Sequence, residues 1–317
     1  MDKHGILVIG SSNTDMTIKT SRLPGPGETV LGGSFSMGAG GKGANQAVAA
    51  KRLGGDVTFI CKVGNDLFGE NSVKRYRNEG IDTSRIMLSD KPSGVALITV
   101  DSNAENSISV ASGANADFTA EDIKKMSDAI SRAAILLLQL EIPVDAVLEA
   151  ARIGFESGAR VILNPAPACP LPEEIYRYIS IVIPNETEVS QMSGVTVTDC
   201  DSAEKAAREL MHQGAGSVIV TLGSKGSLIC DGTGSRMIPS RKVNAVDTTA
   251  AGDTYCGALC VALSEGRDIV AAAGFATAAS AIAVTRPGAQ ESIPTRDEVD
   301  KAMESADDRC TSPSFAQ

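Results

Sequence analysis

Short uninterrupted apolar runs recur along the chain at positions 6–9, 57–61, 135–138, 161–163, 181–183 and 218–220. Runs of this length without polar alternation suit strands buried on both faces, as in a parallel sheet covered by helices. Helical patterns lie between many of them. At 201–213, Ala203, Ala206, Ala207, Leu210 and Met211 share one face, Asp201 and Glu204 have capping-box spacing, and Gly214 supplies a stop. Ile123, Met126, Ala129, Ile130 and Ala133 form a second stripe after Thr119, and 143–155 reads as a third helix. Strands alternating with helices predict an α/β fold of three layers, with a central, mostly parallel sheet between helices.

Two regions break the rhythm. Positions 16–19 and 106–111 alternate apolar with polar, and with 28–31 and 95–100 they predict a small sheet with one wet face. Both are insertions, so they read as one lid assembled from segments near 16–37 and 93–112. Pro24, Gly25, Pro26 and Gly27 suit a hinge into it. The chain over 1–310 reads as one α/β domain carrying this lid, and the polar 311–317 as a disordered tail.

Composition narrows the partners. A 317-residue chain with 43% hydrophobic and 21% charged residues is ordinary for a globular protein. No apolar run approaches the ~20 residues of a membrane helix, and the first five residues are too polar for a signal peptide, so the cytoplasm is the expected location. Twenty-nine basic against 39 acidic residues give a net charge of −10, which argues against a nucleic-acid partner. Seven cysteines without a CxxC pair suggest buried reduced thiols, not disulfides or zinc. With only His4 and His212, a carboxylate is the natural general base.

The polar clusters follow the buried runs. Gly10 to Asp15 follows the first, Gln139-Leu140-Glu141 the third, Asn164-Pro165-Ala166-Pro167 the fourth, Asn185-Glu186-Thr187-Glu188 the fifth, and Thr221-Leu222-Gly223-Ser224-Lys225-Gly226 the sixth. In an open parallel sheet, ligands bind beyond the carboxyl ends of the strands, so these clusters are expected to meet along one crevice.

Gly38-Ala39-Gly40-Gly41-Lys42-Gly43-Ala44-Asn45 contains GxGxxG but lacks a good preceding buried strand, and it fails the Walker A pattern. It reads as a backbone-rich loop opening a helix. The segment Asp247-Thr248-Thr249-Ala250-Ala251-Gly252-Asp253 leads into another apolar helix. Consecutive amides there suit an anion hole for a phosphoryl group, and Asp253 stands where it could take a proton from a hydroxyl. An ordinary first-turn acid favoured by the helix dipole is the competing reading.

These two segments resemble the paired signatures of the ribokinase-like (pfkB) carbohydrate kinases, and Asn13-Thr14-Asp15 and the clusters at 164–167, 185–188 and 221–226 match intervening motifs in order. The similarity spans about 6–294. It implies ATP-dependent phosphorylation of a sugar, D-ribose at its 5-hydroxyl, or deoxyribose or another small sugar as the alternative. It implies that Asn13, Thr14, Asp15, Gly41, Lys42, Gly43, Ala44, Asn45 and Glu141 hold the sugar. Asp253 would be the base, with Ala250, Ala251 and Gly252 as the anion hole. Asn185 and Thr221, Leu222, Gly223, Ser224, Lys225 and Gly226 would contact ATP, and Glu188 would help place Mg²⁺. Asp247, Thr249, Ala283, Arg286, Gly288 and Ser292 match positions around a monovalent cation, K⁺, although Arg286 could instead supply the charge itself. Thr277 departs from relatives that carry a histidine near the adenine. The resemblance also implies a homodimer through the lid. A sugar sensor without catalysis is the rival class, and the intact Asp253 segment argues against it.

Overall fold

The computed structural model describes residues 3–103 and 105–311, with side chains described to residue 304. An eight-stranded sheet runs in the order β14-β13-β12-β11-β10-β9-β1-β4. Its strands are β1 (His4–Ile9), β4 (Val57–Ile60), β9 (Ala133–Leu138), β10 (Arg160–Leu163), β11 (Ile181–Val182), β12 (Ser217–Thr221), β13 (Gly226–Asp231) and β14 (Gly234–Pro239). All six apolar runs become strands of this sheet, mutually parallel, while the hairpin β13–β14 adds antiparallel at one edge. Successive side chains of one strand enter different cores: Ile6 and Val8 pack on one face, Leu7 and Ile9 on the other. That two-sided burial is why these runs carry no polar alternation.

The first core is roofed by α1 (Lys42–Arg52), α8 (Ala251–Ser264) and α9 (Ile269–Ala283), the second by α5 (Val144–Glu156) and α7 (Cys200–His212) among others. Two helical expectations need correction. The Asp201–Glu204 pair does not cap α7; Asp199 accepts the Ser202 N–H and forms the reciprocal box two residues earlier. The stripe after Thr119 is split at Met126 into α3 (Ala120–Lys125) and α4 (Ser127–Arg132), and Ala133 already belongs to β9. The last helix, α10 (Arg296–Thr311), extends into the segment expected as a tail; residues 312–317 lie outside the described residues.

A separate four-stranded sheet forms the lid, in the order β3-β2-β7-β8, from β2 (Asn13–Lys19), β3 (Ser34–Gly40), β7 (Gly94–Val100) and β8 (Asn106–Ala111). Residues 28–31, expected as a strand, are not one; their place is taken by β3, whose exposed serines and methionine do not look like a buried strand. A two-stranded pair, β5 (Lys62–Gly64) and β6 (Met87–Ser89), and the helix α2 (Leu67–Asn78) lie between the two lid segments in sequence. Among the described cysteines, Cys61, Cys230, Cys256 and Cys260 are buried, Cys169 is half-buried and Cys200 is exposed, all as free thiols. No described helix is long and apolar enough to cross a membrane.

Candidate active site

The carboxyl ends of β1, β9, β10, β11 and β12 deliver their polar clusters to one crevice beneath the lid. At the sugar end, β2 leaves the main sheet after β1 and turns Asn13 and Asp15 toward the crevice. Glu141 is anchored there by two donors, the Ser11 hydroxyl at 2.5 Å and the Lys42 backbone N–H at 3.0 Å. Gly41, the N-cap of α1, has φ of 89°, and a side chain on it would press on the Asn13 amide. Burial, followed by the nearby Glu141, Glu291 and Asp253 carboxylates, pushes the Asp15 carboxyl up to about 6.

Three residues expected to touch the sugar do something else. Thr14 alternates to the opposite side of β2 and lines a separate hollow with Met37, Phe68 and Asn71. Gly43 and Ala44 are buried against the end of β1, where the Gly43 N–H meets the Ser11 hydroxyl and the Ala44 N–H meets the Ser11 carbonyl. They hold the glycine loop against β1.

Asp253 sits in the first turn of α8 and is only 7% exposed. Its two oxygens accept Asn45 Nδ2 at 3.0 Å and Gln46 Nε2 at 2.9 Å, both from α1. The turn before it is strained: Ala250, the N-cap of α8, has φ of 57°, and no other described non-glycine residue has a positive φ. Such a conformation costs of order 1–3 kcal/mol and clusters at functional sites. It starts α8 abruptly. The Ala251 N–H turns back to the Thr248 carbonyl at 3.2 Å, which leaves the Gly252 and Asp253 amides facing outward. Of the three residues expected to form the anion hole, Ala251 has its N–H engaged in this turn.

Beside these amides lies a small cavity of about 190 Å³ lined by Lys42, Asn164, Asn185, Glu188, Gly252 and Asp253, among others. Burial opposes the charge on Lys42, but the carboxylates of Asp253, Glu141 and Glu188 outweigh it and hold the ammonium above its ordinary value. Burial raises the Glu188 carboxyl. One Glu188 oxygen accepts the Asn185 N–H in a capping box on α6 (Glu186–Ser193). The other takes no hydrogen bond among the described residues, so it is free to face a cation or its water.

The small cavity opens into a cleft of about 800 Å³ walled by Asn185, Thr221, Gly223, Ser224, Gly226 and, opposite them, Val243, Ala281 and Val284. Thr277 stands in this wall. Of the expected nucleotide contacts, two side chains are not delivered: Leu222 is buried in the core, and Lys225 pairs with Glu186 at 3.4 Å.

Further along, the Asp247 carboxylate accepts the Thr249 N–H and hydroxyl on one oxygen and the Gly288 N–H, at 2.9 Å, on the other. These bonds overcome the effect of burial and hold Asp247 below its ordinary range. Ala283 and Ser292 are buried in the same segment. Arg286 is not turned to Asp247; its guanidinium pairs with Glu298 at 2.5 Å.

Gln46, Gln290 and Ser11 were not singled out by sequence. The signal for Gln46 was a lone amide inside the apolar stretch Ala44 to Ala50 of α1, where it is completely buried.

The pfkB family carbohydrate kinase profile matches residues 3–296. The chain belongs to that family. Its curated relatives include a ribokinase of Haemophilus influenzae, 43% identical over 95% of this chain and 99% of that one. Among solved structures, ribokinase from Thermotoga maritima is 40% identical with a TM-score of 0.88, covering 95% of this chain and 99% of that one. A ribokinase of Arabidopsis thaliana complexed with ribose and ATP is 31% identical with a TM-score of 0.88, over 95% and 99% of the two chains. The small cavity and the larger cleft share Asn185, Thr221, Thr248, Ala251 and Gly252, and Asp253 lines the small cavity.

Proposed function

We propose that this carbohydrate kinase transfers the γ-phosphoryl group of ATP to the 5-hydroxyl of D-ribose, giving ribose 5-phosphate and ADP. The observation that carries the reading is the position of Asp253. It joins the carboxylate-lined sugar end to the small cavity whose wall presents the first-turn amides of α8. Asn13, Asp15, Gly41, Asn45 and Glu141 bind the sugar hydroxyls, each unmatched buried polar group costing ~1–3 kcal/mol against a wrong sugar. Asp253 takes the hydroxyl proton as the oxygen attacks phosphorus. The Gly252 and Asp253 N–H groups and the Lys42 ammonium hold the phosphoryl oxygens as their charge redistributes. ATP occupies the large cleft, its base toward Thr277. The lid closes over the sugar and excludes water.

Glu188, with its free oxygen, would hold Mg²⁺ through water, and the ion would supply positive charge to the phosphate oxygens. K⁺ fits beside Asp247, a half-buried carboxylate with no ion-pair partner among the described residues, together with carbonyl oxygens of the 283–292 segment. The pairing of Arg286 with Glu298 favours a bound cation there over the Arg286 alternative. The enzyme works in the cytoplasm as a homodimer joined through the lids.

A coupled ADP-release assay over ribose, 2-deoxyribose and a hexose panel tests this. Ribose is expected to give the highest kcat/KM, and Asp253→Asn to lower kcat by at least ~10²-fold with both substrates still binding. Preference for another sugar, or full turnover by folded Asp253→Asn, would overturn the corresponding part.

A further inference from the structure

Five carboxamides and Asp253 form one buried network, assembled from five separate parts of the chain. Gln46 Nε2 donates to Asp253 Oδ1 at 2.9 Å and to Asn164 Oδ1 at 3.0 Å, while its Oε1 accepts Gln139 Nε2 at 2.6 Å. On the other side, Asn45 Nδ2 donates to Asp253 Oδ2 at 3.0 Å, and its Oδ1 accepts Gln290 Nε2 at 3.2 Å. Gln46 and Gln139 are 0% exposed and Gln290 is 1% exposed.

A carboxamide can rotate by half a turn and present oxygen where it presented nitrogen. For Gln46 that flip would set its oxygen against both the Asp253 carboxylate and Asn164 Oδ1, and for Asn45 against the other Asp253 oxygen. Gln139 and Gln290 support the unflipped orientation from behind, each donating to the oxygen of the amide in front. They touch neither Asp253 nor any residue assigned to ATP. Their own Oε1 atoms have no hydrogen-bond partner among the described residues. A buried polar atom left in that state costs free energy, so these glutamines are poor choices for stability alone.

We propose that Gln139 and Gln290 are positioning residues for catalysis. Acting through Gln46 and Asn45, they lock two neutral donors onto Asp253 and aim its carboxylate at the sugar hydroxyl. Neutral donors suit a base, since they hold the anion in place without cancelling its charge as an arginine would. The proposal rests on Asp253 being the base.

The test is a set of kinetic variants, Gln139→Leu and Gln290→Leu, each alone and combined with Asp253→Asn, with thermal unfolding measured on all. Leucine nearly matches glutamine in size and removes the unpaired oxygen along with the donor. Each single variant is expected to lose ~10–100-fold in kcat, the scale of a misaimed reacting group. KM for ATP should stay within about twofold in both variants, as should KM for ribose in Gln139→Leu, and Tm should be equal or higher. In the Asp253→Asn background the same substitutions should cost nothing further, because residues acting through one group are not additive. A Gln139→Leu and Gln290→Leu pair with parental kcat overturns the network even if Asp253→Asn is inactive. An equal loss in the Asp253→Asn background, or a drop in Tm with parallel changes in KM, also overturns it. Near-parental turnover of Asp253→Asn removes the base assignment itself, and the proposal with it.

Discussion

The Asp15 carboxylate fills the space where a side chain on Gly40 would begin: a Cβ there would lie 2.2 Å from both Asp15 oxygens. Gly40 ends β3 and pairs with Asn13 on β2, so the lid reserves room for its own sugar-binding acid. Gly40→Ala should leave the fold intact, because the displaced atoms are the end of one side chain. It should raise the KM for ribose by ~10-fold or more, about the worth of one displaced charged hydrogen bond, and leave that for ATP unchanged. Gly38→Ala is the matched control, since a Cβ at Gly38 meets nothing within 4 Å. Equal sugar KM values for the two variants would refute the relationship.

Asp15 also predicts a trade between stability and function. Burial, then its acidic neighbours, raise its folded-state carboxyl to about 6, above the ordinary 3.8. The folded state thus holds this proton more tightly than the unfolded state. The resulting penalty on folding is fully present above pH 6, shrinks as the pH falls, and is gone below the ordinary carboxylate range. Asp15→Asn should therefore raise Tm in ribose-free protein at neutral pH, with the gain fading toward pH 4, while ribose binding is lost. A gain independent of pH would show that charge is not the cause.

Gly257 lets two functional helices touch. A Cβ there would sit 2.6 Å from the Ala49 Cβ and 2.8 Å from the Gln46 carbonyl, so α8, carrying Asp253, lies directly on α1, carrying Asn45 and Gln46. Gly257→Ala should destabilise the protein by about 1–3 kcal/mol through overpacking. Because backbone must move, kcat should fall too, as Asp253 is levered away from its donors. Denaturant unfolding and steady-state kinetics on the same preparation check both.

The main sheet was legible because burial on both faces leaves a signal in every residue of a strand. The hairpin β13–β14 was not: its outer strand keeps Arg236 and Ser235 exposed, and only Ile238 of that strand is buried. The crevice was legible from the order of polar clusters at strand ends, but the orientation of each residue was not. Thr14 sits between two inward-facing neighbours and turns away because strand side chains alternate. The Asp253 donors were half legible. Asn45 belongs to a glycine-rich signature, whereas Gln46, Gln139 and Gln290 become related only when α1, β9 and the 283–292 segment are folded together.

The Asp247 segment predicts a dependence on monovalent cations. Asp247 holds the Gly288 N–H, and two residues later Gln290 reaches Asn45 at 3.2 Å, so order in this segment bears on the Asp253 donors. Exchanging K⁺ for tetramethylammonium at constant ionic strength, with ribose, ATP and Mg²⁺ saturating, should lower kcat. Asp247→Ala should be slow in both salts and insensitive to the exchange. A parental rate indifferent to the cation would eliminate the site.

The lid supplies the last prediction. Ile18, Phe35, Met37 and Leu97 are exposed on the face opposite Asp15, and Ile108 and Val110 are exposed on the Asp15 side of β8, whose six residues are all exposed. An apolar edge strand open to water is a pairing hazard that folded chains usually cover. A second copy of the lid would cover it, and a symmetric pair is the commonest assembly. Light scattering at micromolar concentration should give about twice the 32.7 kDa chain mass. Ile108→Ser combined with Val110→Ser should shift the population toward the single-chain mass and raise the KM for ribose, because an unclasped lid closes less firmly over the sugar. A parent chain that runs only as a 32.7 kDa species would remove the dimer and leave the exposed lid without an explanation.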